Sequence, residues 1–175
     1  VYPSQLVVSA MSETGSAFTG AELVHDALVA AGVDLLIGVP GHQSLPLDIL
    51  VERRDSITPI RARHETAIPN IAWGYYEAGG GMAATLSVPG PGDTNAMNGL
   101  GNALVDRVPL VHLTADSEPE HRGRGSIHEL DPSALTPVVK RNEVVTNPNA
   151  LPEALARGLA DATTQPFGPV HFSIP

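Results

Sequence analysis

Three polar turns carry the side chains best suited to chemistry, and each turn follows a segment that we predict to be a strand. Pro40 and Gly41 precede His42 in the first turn, the second turn ends in Glu65, and the third begins with Pro89-Gly90. Histidine and glutamate are common proton carriers in enzymes, and glycine lets a backbone approach a ligand closely. A functional carboxylate would be placed among such turns, although each turn alone has an ordinary structural explanation.

The third turn, PGPGDTN over residues 89–95, follows a strand and opens a helix. Free backbone N–H groups and a short polar cap would therefore meet at the edge of a sheet. We predict Asp93 or Thr94 as the N-cap of that helix. This structural role explains the motif on its own, and a carboxylate such as Glu65 in the first turn of a helix is equally commonplace.

Composition excludes several classes of protein. The chain has 175 residues, which is enough for one domain with a real core. Its formal net charge of −9 argues against nucleic acid as a partner, and the absence of cysteine excludes disulfides and thiolate catalysis. No apolar run approaches the roughly 20 residues that cross a bilayer. We therefore expect a soluble, cytoplasmic protein that binds neither nucleic acid nor membrane.

Other ligand-binding patterns are missing or weak. The chain has no G-x-x-x-x-G-K sequence, and Gly99-Leu100-Gly101 lacks the third glycine of a dinucleotide fingerprint, which leaves nicotinamide binding as a remote alternative. A zinc site built from His121, His128 and Asp131 matches no standard ligand spacing. We therefore predict no metal-ligating residue in this chain.

Helices and apolar strands alternate along the chain. A T-x-x-E capping box at Thr19 and Glu22 begins the first helix, and Gly32 ends it. We predict strands over 35–39, 58–62, 83–88, 109–115 and 169–174, and helices over 45–53, 65–78, 93–105 and 152–164. Apolar, non-alternating strands between helices indicate an α/β fold, a parallel sheet with helices on both faces. A loose tail over residues 1–18 would precede one domain over residues 19–175.

Ligands of such sheets bind beyond the carboxyl ends of the strands. The loops expected at that edge are 40–44, 63–65, 89–95 and 116–128. They contain His42, Glu65 and His128, which makes these three side chains candidates for a common site.

The polar turns belong to a set of motifs that runs in a fixed order along the chain. The set comprises Ile37-Gly38-Val39-Pro40-Gly41, Arg63-His64-Glu65, Gly74-Tyr75, the turn over 89–95, Asp106-Arg107-Val108-Pro109-Leu110, and Gly168-Pro169-Val170 with Ile174-Pro175. In order and spacing it resembles the pyrimidine-binding domain of thiamine diphosphate enzymes, most of all the group of acetolactate synthase, pyruvate oxidase and benzoylformate decarboxylase. The resemblance spans residues 19–175.

The resemblance implies that thiamine diphosphate binds between this domain and a second one. By resemblance Glu65 is the carboxylate that bonds N1′ of the aminopyrimidine. A proton shared with N1′ favours the imino tautomer, whose N4′ can remove the C2 proton of the thiazolium ring, and a carboxylate kept from water suits that exchange. The implied reaction is decarboxylation or carboligation of a small 2-oxo acid.

The other loops take their roles from the same resemblance. Pro40 and Gly41 match the turn near the reacting side of the cofactor, and residues Gly90, Pro91 and Asn95 match the loop flanking the pyrimidine. His42 falls where relatives vary the residue that faces the substrate. His128 stands where acetolactate synthases have glutamine, so that His128 is a candidate for proton transfer or substrate contact.

The chain has no G-D-G motif, which in this family binds Mg2+ and the diphosphate on another domain. We therefore expect half of an active site, inactive alone, that pairs with a diphosphate-binding domain or subunit in a homo- or hetero-oligomer. The chain would be either a natural subunit or a fragment. A flavin, which some relatives bind on a further domain, is not predicted. The alternative is a non-catalytic interaction or regulatory module that retains this fold.

Overall fold

The computed structural model describes residues 18–125 and 128–175. The expected tail over residues 1–18 lies outside the described residues except for Phe18, and so do two residues of the polar loop, 126 and 127. The main elements are α1 (Gly20–Ala30), β1 (Leu35–Gly38), α2 (Leu45–Arg53), β2 (Thr58–Arg61), α3 (Ala67–Glu77), β3 (Ala83–Ser87), α4 (Pro91–Val105), β4 (Leu110–Ala115), β5 (Arg141–Val144), α5 (Leu151–Ala162) and β6 (Val170–Ile174). Short 3-10 helices cover Pro119–His121, Pro132–Val138 and Pro148–Ala150.

The six strands form one sheet in the order β2-β1-β3-β4-β6-β5, and each neighbouring pair is parallel. Apolar side chains of α1, α2 and α5 cover one face of the sheet, which we call face A. Those of α3 and α4 cover the other face, face B, together with Leu135 and Val139. The predicted α/β fold, a parallel sheet with helices on both faces, is confirmed.

The start of α1 shows how closely local sequence determines the helix ends. Thr19 Oγ1 accepts the backbone N–H of Glu22 at 3.3 Å, and the Glu22 carboxylate accepts the N–H of Thr19 at 2.9 Å. This reciprocal pair satisfies two of the free donors of the first turn. Gly32 follows the C-cap residue Ala31 and adopts φ 78°, a left-handed conformation that glycine takes without strain.

Two helix starts and one strand differ from the prediction. The turn Arg63–Glu65 precedes α3, which begins at Ala67 rather than residue 65. Helix α4 begins at Pro91 because proline has no N–H to lose and its φ suits the first helical position. The edge strand β5 has the polar sequence RNEV and pairs only with β6, so that no hydrophobic pattern indicated it.

The N-cap prediction for α4 is wrong. Gly90, at φ 71°, occupies that position, and none of the side chains that the structure describes caps the helix. Asp93 instead turns inward, and the residue is 2% exposed.

The strand connections leave the sheet in opposite directions at its centre. The connection after β1 leads to α2 on face A, whereas the connection after the adjacent strand β3 leads to α4 on face B. Such a reversal opens a crevice at the carboxyl ends of the strands, where ligands of open α/β sheets bind. The turns that contain Gly41 and Gly90 flank this position.

Candidate functional site

Glu65 and Asn95 are joined by a hydrogen bond. Asn95 Nδ2 donates to Glu65 Oε2 at 3.1 Å, and both side chains are half-buried. Glu65 is held in a tight turn, because the N–H of Ala67 bonds the carbonyl of His64 and the N–H of Ile68 bonds the carbonyl of Glu65. The carboxylate of Glu65 thus lies beside α4, although within this chain it is half-buried rather than fully withdrawn from water.

The Pro40-Gly41 turn packs against the end of β3. A Cβ atom on Gly41 would lie 2.1 Å from Val88 Cγ1, so that only glycine fits between the two strand ends. Ser44 Oγ accepts the N–H of Gly41 at 2.9 Å and lies 2.6 Å from Asp48 Oδ2, which accepts its hydrogen. The turn is therefore fixed at both of its ends.

Arg61 connects Asp48, the partner of Ser44, to the neighbouring strand β2. Its guanidinium, at the end of β2, contacts the buried Asp48 and the more exposed Glu52. Burial lowers the pKa of Arg61, but the hydrogen bonds to Asp48 and Glu52 outweigh it and raise that pKa overall. The turn after β1 is thus connected through charged groups to the strand that leads to Glu65.

Gly90 touches the backbone of His128. A Cβ on Gly90 would lie 2.4 Å from the carbonyl oxygen of His128, and both residues have positive φ, 71° and 63°. The loop that carries His128 is held by Glu129, whose carboxylate accepts the backbone N–H groups of Gly123 and Gly125. The structure thus brings the polar loop after β4 onto the turn that opens α4.

The candidate residues include two connected pairs and four exposed positions. Glu65 pairs with Asn95, and Gly90 with His128. Pro40, Pro91 and the side chains of His42 and His128 are exposed. Among the described residues, His42 makes no hydrogen bond to either pair.

A buried polar cluster lies beside the site and was not predicted from the sequence. Asp93 Oδ1 lies 2.8 Å from Ser87 Oγ, 2.7 Å from Thr114 Oγ1 and 3.5 Å from His112 Nε2. Burial of Asp93 acts to raise its pKa, whereas the hydrogen bond and charge of His112 and the hydrogen bonds of Thr114 and Ser87 act to lower that pKa. The cluster connects the first turn of α4 to β3 and β4.

The cluster continues across the sheet to β5 and β6. Thr85, His112, His171 and Asn142 stand in register on four adjacent strands. His171 is 0% exposed, and burial, with a further contribution from the nearby His112, lowers its pKa to about 3. The available signal was a pair of polar residues two positions apart in each of three otherwise apolar strands, namely TLS in β3, HLT in β4 and HFS in β6.

No helix among residues 18–125 and 128–175 combines the length and the apolar character that crossing a bilayer requires.

An α/β domain with a carboxylate, an amide and two glycine turns at the carboxyl edge of a parallel sheet is a ligand-binding domain of the doubly wound class. Comparison with protein families then identifies the family to which this domain is similar. Residues 18–135 match the family described as "Thiamine pyrophosphate enzyme, N-terminal TPP binding domain". The chain belongs to this family.

Similar curated proteins carry a consistent description. The chain is 31% identical over 174 residues to an acetolactate synthase large subunit of Corynebacterium glutamicum, covering 99% of this chain and 28% of the relative. It is 34% identical over 158 residues to a probable acetolactate synthase large subunit of Methanocaldococcus jannaschii, covering 89% and 26%. With acetolactate synthase isozyme 1 large subunit of Escherichia coli it shares 30% over 168 residues, covering 95% and 30%. The chain therefore spans less than a third of the length of these relatives.

Proposed function

We propose that this chain is the pyrimidine-binding half of a thiamine diphosphate-dependent enzyme that decarboxylates or ligates 2-oxo acids. The observation that carries the proposal is the hydrogen bond between Glu65 and Asn95 at the carboxyl edge of the sheet, in a chain of this family. The relatives named as acetolactate synthase large subunits support a 2-oxo acid as substrate and a lyase or transferase reaction.

The residues present suit an aminopyrimidine. Such a ring has nitrogen acceptors and an amine donor, and Glu65 offers a carboxylate that can accept or share a proton with it. Asn95 orients that carboxylate through Oε2. Gly41 and Gly90 carry no side chain in the turns that also contain Pro40 and Pro91, and turns of this kind would permit the close approach of a flat ring.

Each of these residues has a distinct task in the proposed reaction. When bound, thiamine diphosphate supplies a carbon nucleophile and an acceptor for the electron pair released from the 2-oxo acid. Glu65 holds a proton at its carboxylate for exchange with the pyrimidine ring, and Asn95 keeps that carboxylate in one orientation. The imidazoles of His42 and His128 are exposed and free to contact substrate and move protons to or from it.

The remaining parts of the enzyme lie outside residues 19–175, which we propose as one domain. Mg2+ and the diphosphate would be held by a second domain or subunit, since the described residues contain no group of three His, Asp or Glu side chains arranged to hold a metal ion. The relatives named as large subunits favour assembly into an oligomer. A cytoplasmic location stays a prediction.

The test measures cofactor binding and turnover by the chain combined with its diphosphate-binding domain. Thiamine diphosphate with Mg2+ should raise the melting temperature of the wild-type complex. Glu65→Gln should lower turnover about 10^2- to 10^4-fold, the usual range for a lost proton-transfer group. Glu77→Gln, an exposed change at the end of α3, should leave turnover unaffected. A complex that is indifferent to the cofactor would instead indicate a non-catalytic module.

A further inference from the structure

The hydroxyl of Thr114 has two neighbours that both need its hydrogen. Thr114 Oγ1 lies 2.7 Å from Asp93 Oδ1 and 2.8 Å from His171 Nε2, and both distances are those of hydrogen bonds. A threonine hydroxyl has one hydrogen. One contact can use it, so the other contact must receive its hydrogen from Asp93 or His171.

Asn142 determines which ring nitrogen of His171 carries a hydrogen. Asn142 Nδ2 donates to the carbonyl oxygen of Pro132 at 2.8 Å, and a carbonyl can only accept, so the amide has one orientation. Asn142 Oδ1 therefore faces His171 Nδ1 at 2.7 Å, which requires a hydrogen on Nδ1. A neutral His171 then has a bare Nε2, and this atom takes the hydrogen of Thr114.

The second histidine of the cluster cannot supply the missing hydrogen. His112 Nδ1 lies 2.9 Å from Thr85 Oγ1, and its Nε2 lies 3.4 Å from Ser87 Oγ and 3.5 Å from Asp93 Oδ1. A proton on His112 would not stand between Thr114 and either of its neighbours. The missing hydrogen must therefore be on Asp93 Oδ1 or on His171 Nε2.

We propose that Asp93 and His171 together hold one proton, shared across the hydroxyl of Thr114, and that this buried pair positions the first turn of α4 so that Asn95 meets Glu65. The proton rests on Asp93 beside a neutral His171, or on His171 beside an ionised Asp93. Transfer through Thr114 interconverts the two arrangements, because the hydroxyl accepts a hydrogen from one side as it donates to the other. The pair has no net charge in either arrangement, which reduces the cost of burying both groups.

The start of α4 depends on this pair. No side chain within residues 18–125 and 128–175 caps the helix at Gly90, and Asp93, in the first turn, bonds the sheet. Asn95 follows Asp93 by two positions, so that a shift of the turn would move Asn95 away from Glu65. Asp93 is thus a positioning residue. This second part rests on the proposed function of Glu65, whereas the proton count does not.

The proton count is measured on the full chain labelled with 13C in aspartate and 15N in histidine. The carboxyl carbon of Asp93 and the ring nitrogens of His171 report by NMR whether each group is protonated. We expect one proton on the pair near neutral pH, on either group or exchanging between them. An ionised Asp93 beside a neutral His171, or protons on both groups, would overturn the proposal.

The positioning role is tested with Thr114→Ser and Thr114→Val. The readout is the NMR signal of the Asn95 side-chain amide, which should shift as Glu65 titrates only while the two are bonded. Serine keeps the hydroxyl and should keep this response, whereas valine should abolish it. The control Thr163→Val makes the same change at the C-cap of α5 and should keep the response. Equal behaviour of the Ser and Val variants would refute the positioning role.

A second pair of variants covers the case in which Thr114→Val does not fold. Asp93→Asn offers an uncharged N–H to Thr114 and should retain the Asn95 response, whereas Asp93→Ala should lose it. Retention by both variants would show that Asp93 does not position Asn95. Neither experiment uses the cofactor, so their failure is distinguishable from a failure of the Glu65→Gln assay.

Discussion

Asn95 Nδ2 donates to the carboxylate of Glu65 across a separation of 30 residues. The bond joins the turn after β2 to the first turns of α4, and so connects two loops that enter from different strands. A lone carboxylate at a helix start would have many orientations. Glu65 has one that is determined by a neighbouring helix.

Asn95→Ala should therefore weaken cofactor binding. Loss of a hydrogen bond to a charged group costs about 1.5–3 kcal/mol, which corresponds to an affinity at least about tenfold lower. The dissociation constant of thiamine diphosphate, measured with Mg2+ on the assembled enzyme, checks this. Asn98→Ala, an exposed change on the same helix, is the control. Equal affinities of the two variants would contradict the role of Asn95.

Gly41→Ala should destabilise the fold by about 1–3 kcal/mol, because its methyl group would overlap Val88. Adding Val88→Ala should recover part of that loss by making room. Gly74→Ala, in the interior of α3 with no atom within 4 Å of the added Cβ, should instead stabilise by up to about 1 kcal/mol. Urea unfolding of the variants measures all three free energies.

The Asp93–His171 pair should give a distinctive dependence of stability on pH. The folded pair holds one proton, and the unfolded pair gains its first near pH 6.5 and its second near 3.9. Stability from the pair should rise as pH falls towards about 6.5 and stay level to about 4. Below about pH 4 this stability should be lost, because the unfolded pair takes a second proton that the buried pair does not take as readily.

Asp93→Asn should change this profile. The variant leaves His171 as the sole titrating group of the pair, uncharged in the folded state, so that stability should decline from about pH 6.5 downward by up to about 1.4 kcal/mol per pH unit. Denaturant titrations at each pH measure the free energy of unfolding. The difference in this free energy between wild type and variant cancels the contributions of His112 and other groups. Identical slopes below pH 6.5 would argue against a shared proton.

His128→Ala should lower kcat at least tenfold while the affinity for thiamine diphosphate stays unchanged. The side chain is exposed and meets Gly90 through its backbone, so its removal leaves the packing of the turn intact. His121→Ala on the same loop is the matched control. Steady-state kinetics with a 2-oxo acid separate the effects on kcat and KM. A cofactor affinity that falls with kcat would assign His128 to cofactor binding instead.

Much of the fold could be predicted because its determinants are local. The apolar runs of β1, β3 and β4 and the capping box at Thr19 are complete within a few residues. Strand β5 was not predicted, since its polar residues Arg141–Val144 gain their structure from pairing with β6 rather than from their own pattern.

The candidate site also has a part that could be predicted from the sequence and a part that could not. The family motif indicated Glu65 and Asn95 as candidates, and the structure shows them bonded. The inward direction of Asp93 could not be predicted, because it depends on which residues of β3 and β4 lie opposite each other. A local rule for helix starts favoured a cap at Asp93 or Thr94, and the tertiary hydrogen bonds of Asp93 prevailed over it.

The row of polar side chains on face B also bears on how the sheet assembles. A one-residue slip of β4 against β3 and β6 would exchange its faces, forcing His112 and Thr114 among the leucines of α1 and α5 and leaving Asp93 with no hydroxyl to meet. Purely aliphatic strands would tolerate such a slip more easily. The buried hydroxyls and imidazoles thus destabilise pairings of the strands in the wrong register during folding.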